Sequence, residues 1–311
     1  MGQHNNLFRA AICHSGTAIP IGKLLSDGAG QQAFDRIAKF VQCKDASDKL
    51  GCLRKAPFKR ILKALGLFPG MLSLGAFPPT FSPVVDGEFV TGSIQNALKA
   101  GLEFAKIFVI TGDVLDEGTI LALGTLPLHT KEELRSFITK KFQNPTPELI
   151  AKILKLWPSN PKSGSPFAAG DKYALTPVYK KYSAMLGDIG FQGLRRLFLR
   201  LTSPYMPTWS YIDQSMQHDP FIGAFHGSDL LALLGLVPGG QKKEYQTRWI
   251  AFVNNLNPNH PGLAEWPTYD KGTQNLVIDK HGADGAALDD FRSEAIEFYL
   301  SNLDALTPKS Q

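Results

Sequence analysis

Short buried strands that alternate with amphipathic helices constrain the fold of this chain more than any other feature. Residues 7–13 (LFRAAIC), 106–111 (KIFVIT) and 208–212 (TWSYI) are rich in aliphatic, aromatic and β-branched side chains, and each run ends in a polar segment. Runs of this kind are typical of strands buried on both faces, as in parallel sheets. A further short strand is predicted at 276–278. Helical spacing is predicted over residues 31–41, 57–65, 94–100, 130–155 (two helices), 180–201, 229–234, 245–255 and 289–300. The alternation predicts an α/β fold with a mostly parallel sheet.

The composition of the 311 residues excludes several other classes of protein. Hydrophobic residues make up 43% and charged residues 20%, which excludes a disordered, collagenous or coiled-coil chain. The net charge is only +5, and no basic stripe interleaved with aromatic residues occurs, so we expect no nucleic-acid partner.

The uncharged stretch 64–85 is long enough to raise the question of a membrane helix. Its four prolines at positions 69, 78, 79 and 83 interrupt any continuous helix, and irregular backbone exposed to lipid has no hydrogen-bond partners. We therefore expect no transmembrane segment here and predict a buried or pocket-lining loop.

The three cysteines and the start of the chain point to different compartments. Cys43 and Cys52 bracket the polar residues KDASDKLG, which predicts a small disulfide loop of the kind that persists in oxidising surroundings, and Cys13 is expected to be a buried free thiol. The opening residues MGQHNNLFR do not resemble a signal peptide, so the chain as written would stay in the cytoplasm. This conflict leads us to expect that an N-terminal portion is missing.

Two polar residues follow predicted strands and could carry chemistry. Glu117 follows the strand at 106–111, and His226 lies in the loop after the strand at 208–212. In open α/β sheets reactive groups collect beyond the carboxyl ends of strands, and acid before histidine is the chain order of α/β hydrolases. Glu117 could equally be a solvated helix cap, and His226 a hydrogen-bonded core histidine.

A serine nucleophile is not apparent. The strained turn that presents such a serine needs small residues on both sides, G-x-S-x-G, and this pattern does not occur in the chain. The nearest segments, 14–16 (HSG) and 163–165 (SGS), lack the required glycines and flanking elements. No metal or other cofactor is expected, because the histidines have no metal-ligand spacing and the glycines form no phosphate-binding loop.

Five segments taken together resemble the type-B carboxylesterase/lipase family, particularly its fungal lipases and cholinesterase relatives. In family order they are LFRAAICHSG, the Cys43–Cys52 loop with the following LR, PVVDGEFV, VITGDVLDEGT and FIGAFHGSDL. The resemblance implies an α/β-hydrolase fold and the hydrolysis of carboxylic esters. In that family the G-E-S-A-G nucleophile elbow and the H-G-G-G oxyanion motif would precede Met1. The resemblance therefore implies that residues 1–311 are the C-terminal part of a single carboxylesterase domain. The fold is expected to be incomplete, with the N-terminal strands and the nucleophile elbow absent from this chain, and the chain is expected to be inactive.

The resemblance also assigns roles to individual residues. Glu117 is similar to the acid of the family's catalytic triad, and His226 to the general base. Ser15 is similar to a serine that supports the acid, whereas the preceding position, usually glutamine in the family, is His14. The match of Cys43 and Cys52 to the family's disulfide loop implies a secreted, extracellular ancestor.

An apolar ester or lipid is the substrate that the resemblance implies for a complete enzyme. Its acyl pocket is expected to be lined in part by Phe68, Met71, Leu72, Leu74, Phe77, Ile120 and Leu121, for which ordinary core packing is the alternative. A catalytically inactive, cholinesterase-like binding module is the alternative function.

Overall fold

A five-stranded sheet forms the centre of the computed structural model, which describes residues 7–20, 29–70, 72–75, 79–83, 85–101, 104–220 and 222–309. The strands are β1 (Ala10–His14), β2 (Phe108–Val114), β3 (Thr208–Asp213), β4 (Gln274–Asp279) and β5 (Gly282–Leu288). They lie in the order β1-β2-β3-β4-β5. The first four strands are parallel, and β5 pairs antiparallel with β4. The predicted mostly parallel α/β sheet is confirmed, and its parallel strands all end at the same edge.

The strand β5 was not predicted from the sequence. Glycine and alanine have weak strand propensity, so sequence pattern alone does not favour a strand here. The free edge of β4 supplies the backbone partners that pair this segment into the sheet.

Thirteen α-helices are found in the described residues. They are α1 (Ala29–Phe40), α2 (Lys49–Lys55), α3 (Phe58–Leu65), α4 (Ile94–Lys99), α5 (Gly118–Ala122), α6 (Lys131–Lys141), α7 (Pro147–Leu156), α8 (Tyr179–Gly187), α9 (Gly193–Thr202), α10 (Ser228–Leu234), α11 (Gln241–Asn255), α12 (Ser293–Ser301) and α13 (Leu303–Leu306). A capping box stands at the start of α6, since the side chains of Thr130 and Glu133 each accept a hydrogen bond from the other residue's backbone N–H.

Three predicted helices differ from those in the structure, and the one expected over 245–255 begins earlier, at Gln241. The helix expected over 180–201 is interrupted between α8 and α9 by a π-helical turn, Asp188–Gln192, which bulges one residue out of the regular hydrogen-bond ladder. The last long helix begins at Ser293 rather than at Asp289. Asp289 is instead held in the core by two buried arginines, Arg195 and Arg196.

The core lies on both faces of the sheet. Neighbouring residues of a strand point to opposite faces, and Val109 and Ile110 of β2 accordingly belong to different hydrophobic clusters. The larger cluster includes buried residues of α6 to α9, α12 and α13, and the smaller one includes residues of α10 and α11. Helices therefore cover the sheet on each side.

The disulfide predicted between Cys43 and Cys52 is confirmed, with Cα atoms 5.8 Å apart. It joins the residues after α1 to α2, a helix that sequence analysis had taken as loop. Closing a loop of this size is expected to stabilise the fold by about 2–3 kcal/mol. Cys13 is free, as expected, and burial raises the pKa of its thiol.

The described part of the apolar stretch 64–85 is more exposed than predicted. The side chains of Leu72, Leu74 and Phe81 are all exposed. The backbone at Ser73 packs closely against Gly124, since a Cβ atom placed on Gly124 would lie 2.4 Å from the carbonyl oxygen of Ser73. Among the described residues, no helix combines the length and apolar character needed to cross a bilayer.

Candidate active site

Glu117 lies where β2 turns into α5, at the carboxyl end of the parallel strands. Its side chain is almost fully buried, and the backbone N–H of Val114 donates a 2.9 Å hydrogen bond to Oε1. This contact fixes the carboxylate against the last residue of its own strand. Glu117 is therefore not the solvated helix cap that the sequence also allowed.

The two residues after Glu117 hold this turn in place. A Cβ atom at Gly118 would lie 1.9 Å from the carbonyl oxygen of Ser183, so the close approach of α5 to α8 requires glycine there. The Thr119 hydroxyl lies 2.9 Å from the carbonyl oxygen of Asp116 and 2.6 Å from that of Ile222. Gly118 and Thr119 thus hold the turn that carries Glu117, through contacts with α8 and with Ile222.

His226 comes to the same edge on the loop between β3 and α10. Asp116 and Phe225 form an isolated parallel bridge, and the N–H of Asp116 donates to the carbonyl oxygen of Ala224 at 2.9 Å. Gly227 then has φ = 90°, a conformation that favours glycine, which lets the chain reverse directly into α10. The ring of Phe191, from the π-helical turn, lies 4.9 Å from the His226 ring centroid.

The structure brings Glu117 and His226 together although 109 positions separate them in the chain. The Nδ1 atom of His226 lies 2.7 Å from Oε2 of Glu117. Because a carboxylate only accepts, Nδ1 carries the proton in this contact and Nε2 of the neutral ring keeps its lone pair. The His226 side chain is 34% exposed, so it is not an enclosed core histidine.

The surroundings favour a protonated His226. Burial by itself lowers the pKa of His226, but the hydrogen bond and the negative charge of Glu117 outweigh burial, so the pKa lies above its ordinary value. His226 can therefore act as a base that accepts a proton at Nε2, and Glu117 stabilises the imidazolium that forms.

Replacing Glu117 by glutamine should lower the pKa of His226 below that of a free histidine. Without the negative charge of Glu117, the largest remaining effect is burial, which disfavours the imidazolium. The measurement is an NMR titration of the His226 ring in the wild-type chain and in Glu117→Gln. Glu297→Gln, which removes a partly exposed carboxylate elsewhere, is the control. An unchanged His226 pKa in Glu117→Gln would show that the two side chains do not interact in solution.

Asp116 joins the loops that carry the pair, a role that sequence analysis missed. Its carboxylate accepts hydrogen bonds from Ser165 Oγ at 2.7 Å, from Phe167 N–H at 2.8 Å and from Ala224 N–H at 3.1 Å. Burial raises the pKa of Asp116 to about 6, although these three donors oppose that shift. One buried carboxylate thus ties the loop of His226 to the turn of Glu117.

Asp116→Ala should reduce the free energy of unfolding by at least about 1–3 kcal/mol, because it leaves buried donors without an acceptor. It should also bring the His226 pKa closer to its ordinary value, since the loop that holds His226 loses its attachment. Urea unfolding and the same NMR titration measure the two effects. Asp171→Ala, at an exposed aspartate, is the matched control. Equal stabilities of the two variants would contradict this role.

Ser15 does not make the predicted contact with Glu117. The two carboxylate oxygens are occupied by Val114 N–H and His226, and the buried Oγ of Ser15 has no hydrogen-bond partner among the described residues. Ser15 has φ = 55° and its N–H donates to Gly112 at 2.8 Å, so its position is set by the backbone at the end of β1.

A second histidine–carboxylate pair, His14 and Asp229, differs from the first in the hydrogen bonds of its ring nitrogens. Nδ1 of His14 is 2.7 Å from Oδ2 of Asp229, and the Tyr211 hydroxyl donates to the same oxygen at 2.7 Å. The indole N–H of Trp249 donates to Nε2 of His14 at 3.1 Å, which requires a lone pair there. Both ring nitrogens of His14 are therefore occupied, and this pair cannot accept a proton from a substrate as His226 can.

Neither of the two serine-containing segments nearest to the elbow pattern, 14–16 and 163–165, supplies a partner for Nε2 of His226. Ser165 is buried and donates to Asp116, and Ser15 lies on the β1 side of the sheet edge. In the part of the chain that the structure describes, no hydroxyl forms a hydrogen bond with Nε2. The same part contains no group of three or more histidine, cysteine, aspartate or glutamate side chains that could hold a metal ion.

The residues predicted to line an acyl pocket lie in different environments. Leu121 packs in the main core and Ile120 against it, whereas Leu72 and Leu74 are exposed. Phe68 packs edge-on against the ring of Phe81 with centroids 5.1 Å apart. Met71 and Phe77 lie outside the described residues. Participation of this set in an acyl pocket remains a prediction.

The chain is similar in sequence to a known protein family and to individual proteins. A model of the carboxylesterase family matches residues 2–298. The chain is 32% identical to a secreted triacylglycerol lipase of Gibberella zeae over 308 residues, covering 97% of this chain and 52% of that protein. It is 33% identical to Lipase 2 of Diutina rugosa over 301 residues, covering 95% of this chain and 54% of that protein.

The fold is also found in solved structures. Aspergillus niger EstA superposes with a TM-score of 0.76 at 23% identity, covering 98% of this chain and 60% of EstA. A PNB esterase superposes with a TM-score of 0.70 at 19% identity, covering 94% of this chain and 58% of the esterase. These likenesses show the α/β-hydrolase fold. The chain spans about half the length of the lipases it matches. With an esterase fold and a family match over nearly all of its residues, the chain belongs to the carboxylesterase family.

Proposed function

We propose that Glu117 and His226 are the acid and the general base of a serine carboxylic-ester hydrolase that acts on apolar or lipid esters. The observation that carries this proposal is the 2.7 Å contact between Glu117 and Nδ1 of His226, which leaves Nε2 with a lone pair at a partly exposed position. The names of the related lipases support the substrate class.

In this mechanism Nε2 of His226 takes the proton of a serine hydroxyl as its oxygen attacks the ester carbonyl. The same proton then passes to the leaving alcohol as the acyl–enzyme forms, and a water molecule repeats the sequence to release the acid. Glu117 keeps the ring oriented and stabilises the imidazolium formed in each half. Its buried position, fixed by the N–H of Val114, suits this role.

We further propose that the serine and the oxyanion donors lie outside these 311 residues, which form the C-terminal part of a single carboxylesterase domain. This is supported by the absence of a G-x-S-x-G pattern and by the match to about half of each related lipase. It is also supported by the edge strand β1, which pairs with β2 alone among the described strands. An extracellular location is proposed from the Cys43–Cys52 disulfide and the secreted relatives.

The proposal that the serine and the oxyanion donors lie outside these residues is tested with the purified 311-residue chain. It should not hydrolyse a chromogenic acyl ester at an enzymatic rate, because a base without a positioned nucleophile and oxyanion donors supplies only about 10²- to 10⁴-fold. It should also fail to react with a fluorophosphonate probe. Stoichiometric labelling of a serine in this chain, lost in His226→Ala, would overturn the proposal that the nucleophile lies elsewhere.

A further inference from the structure

The segment around α2 and α3 concentrates the positive charge of the chain. Residues 49–85 contain six basic residues and no acidic residue. These six exceed the net charge of +5 of the whole chain, so the remainder is close to neutral. All six lie on or beside the two helices: Lys49, Arg54, Lys55, Lys59, Arg60 and Lys63.

One side of α3 is held firmly by the protein. The side chain of Ala64 is fully buried in a small cluster with Ala38, Val41 and Cys43, and Ile61 packs against the same cluster. This cluster contains no residue of the sheet. The Cys43–Cys52 disulfide joins the elements around it. The packing of Ala64 and Ile61 therefore holds α3 in place, with its opposite side facing away from this cluster.

The opposite side of α3 carries a row of apolar side chains and, beside it, a row of lysines. Phe58, Leu62 and Leu65 are spaced by three or four residues, which places them on one face of a helix, and they are 73%, 53% and 43% exposed. Lys59 and Lys63 follow on the adjoining face and form no ion pair with any described residue. We call these five residues the α3 surface.

We propose that the α3 surface docks on a lipid–water interface that carries anionic headgroups. A helix with a strong apolar face and lysines along its border lies in the plane of such an interface, with the apolar side chains in the acyl boundary and the cations at the headgroups. This inference goes beyond the proposed function, since binding needs no chemistry from Glu117 or His226.

The charges argue against a second copy of the chain as the occupant. A two-fold contact would bring the same surface of both copies together, and Lys59 and Lys63 of one copy would face those of the other without a carboxylate to balance them. A soluble polyanion would satisfy the lysines but would leave Phe58 and Leu62 in water. An anionic lipid surface can bury the apolar side chains and bind the two lysines at the same time.

The experiment is sedimentation of the 311-residue chain with phospholipid vesicles, measured without any ester turnover. The chain should bind vesicles of phosphatidylcholine containing phosphatidylglycerol, and bind less as salt is raised. Lys59→Gln with Lys63→Gln should weaken partitioning by about 30-fold, since each cation near an anionic surface contributes about one kcal/mol. Phe58→Gln with Leu62→Gln should weaken it by at least about tenfold.

Matched controls use equally exposed side chains elsewhere. Phe89→Gln with Ile250→Gln, and Lys242→Gln with Lys243→Gln, should bind vesicles as the wild type does. Circular dichroism checks that every variant is folded.

Equal binding to phosphatidylcholine alone, or equal losses in the controls, would overturn the proposal. So would a dimer in size-exclusion chromatography with light scattering that Phe58→Gln with Leu62→Gln converts to monomer. Heparin binding that depends on the lysines alone, with no vesicle binding, would identify a polyanion instead. A failure of vesicle binding is separate from a failure of the hydrolase proposal, because the latter is measured with soluble esters and His226 variants.

Discussion

His226→Ala should lower kcat/KM for ester hydrolysis by about 10⁴- to 10⁶-fold in a protein that joins this chain to the part of the Gibberella zeae lipase outside the matched region. Without the imidazole no group at the site accepts the serine proton, and the hydroxyl is a weak nucleophile at neutral pH. Glu117→Gln should cost about 10⁴-fold, because the uncharged amide no longer stabilises the imidazolium and can hold the ring in the wrong tautomer.

The matched control is His281→Ala, which removes an exposed histidine remote in sequence from the pair. It should leave kcat/KM unchanged. A joined protein that is folded, reacts with the fluorophosphonate probe and yet loses no activity in His226→Ala would rule out His226 as the base. A folded protein with no hydrolysis at all would favour the inactive binding module.

Arg195→Leu should destabilise the fold by about 3–5 kcal/mol, a large part of the stability of a typical domain. Arg195 is fully buried on α9 and binds Asp113 at 2.8 Å and Asp289 at 2.7 Å, so its removal leaves Asp113 without this buried cation and Asp289 with Arg196 alone. Burial by itself raises the pKa of Asp289, but Arg195 and Arg196 outweigh burial and hold the pKa below its ordinary range.

The sign of the pH dependence follows from this lowered pKa. A carboxyl group with a lowered folded-state pKa contributes stability above its ordinary pKa and loses it as the pH falls through the folded-state value. The difference between wild type and Arg195→Leu should therefore shrink in acid, where Asp289, having lost Arg195, can take up a proton in the variant.

Arg200 provides a control on the same helix. It pairs with Glu297, and both side chains are partly exposed, so Arg200→Leu should cost no more than about 1 kcal/mol. Urea unfolding followed by circular dichroism measures both variants at neutral and acidic pH. If Arg195→Leu does not fold, Arg195→Lys keeps the charge and should be intermediate. Equal costs for Arg195→Leu and Arg200→Leu would contradict the importance of the buried network.

Much of the fold could be predicted because its signals are local. The apolar runs at 106–111 and 208–212 and the spacing of helix residues depend on chain neighbours, and these elements lie where they were expected within a few residues. The Cys43–Cys52 disulfide was also predictable, since nine positions separate its cysteines. Elements with weak local signals, such as α2 and β5, were missed.

The candidate site was predicted in part. Glu117 and His226 were found because strand ends mark the reactive edge of a parallel sheet and because the surrounding motifs resemble a known family. Asp116 and Thr119, which flank Glu117, carried no separate signal, since their partners Ser165, Ala224 and Ile222 come from distant loops.

Local sequence patterns predict the alternation of strands and helices, the small disulfide loop and the presence of an acid and a histidine at strand ends. The tertiary structure decided which polar groups meet: Glu117 with His226 rather than with Ser15, His14 with Asp229, and Arg195 with two buried carboxylates. The physical reason is that periodicity is set by covalent neighbours. The partner of a buried charge is set by which loops and helices pack together, and these lie up to 215 positions apart in the chain.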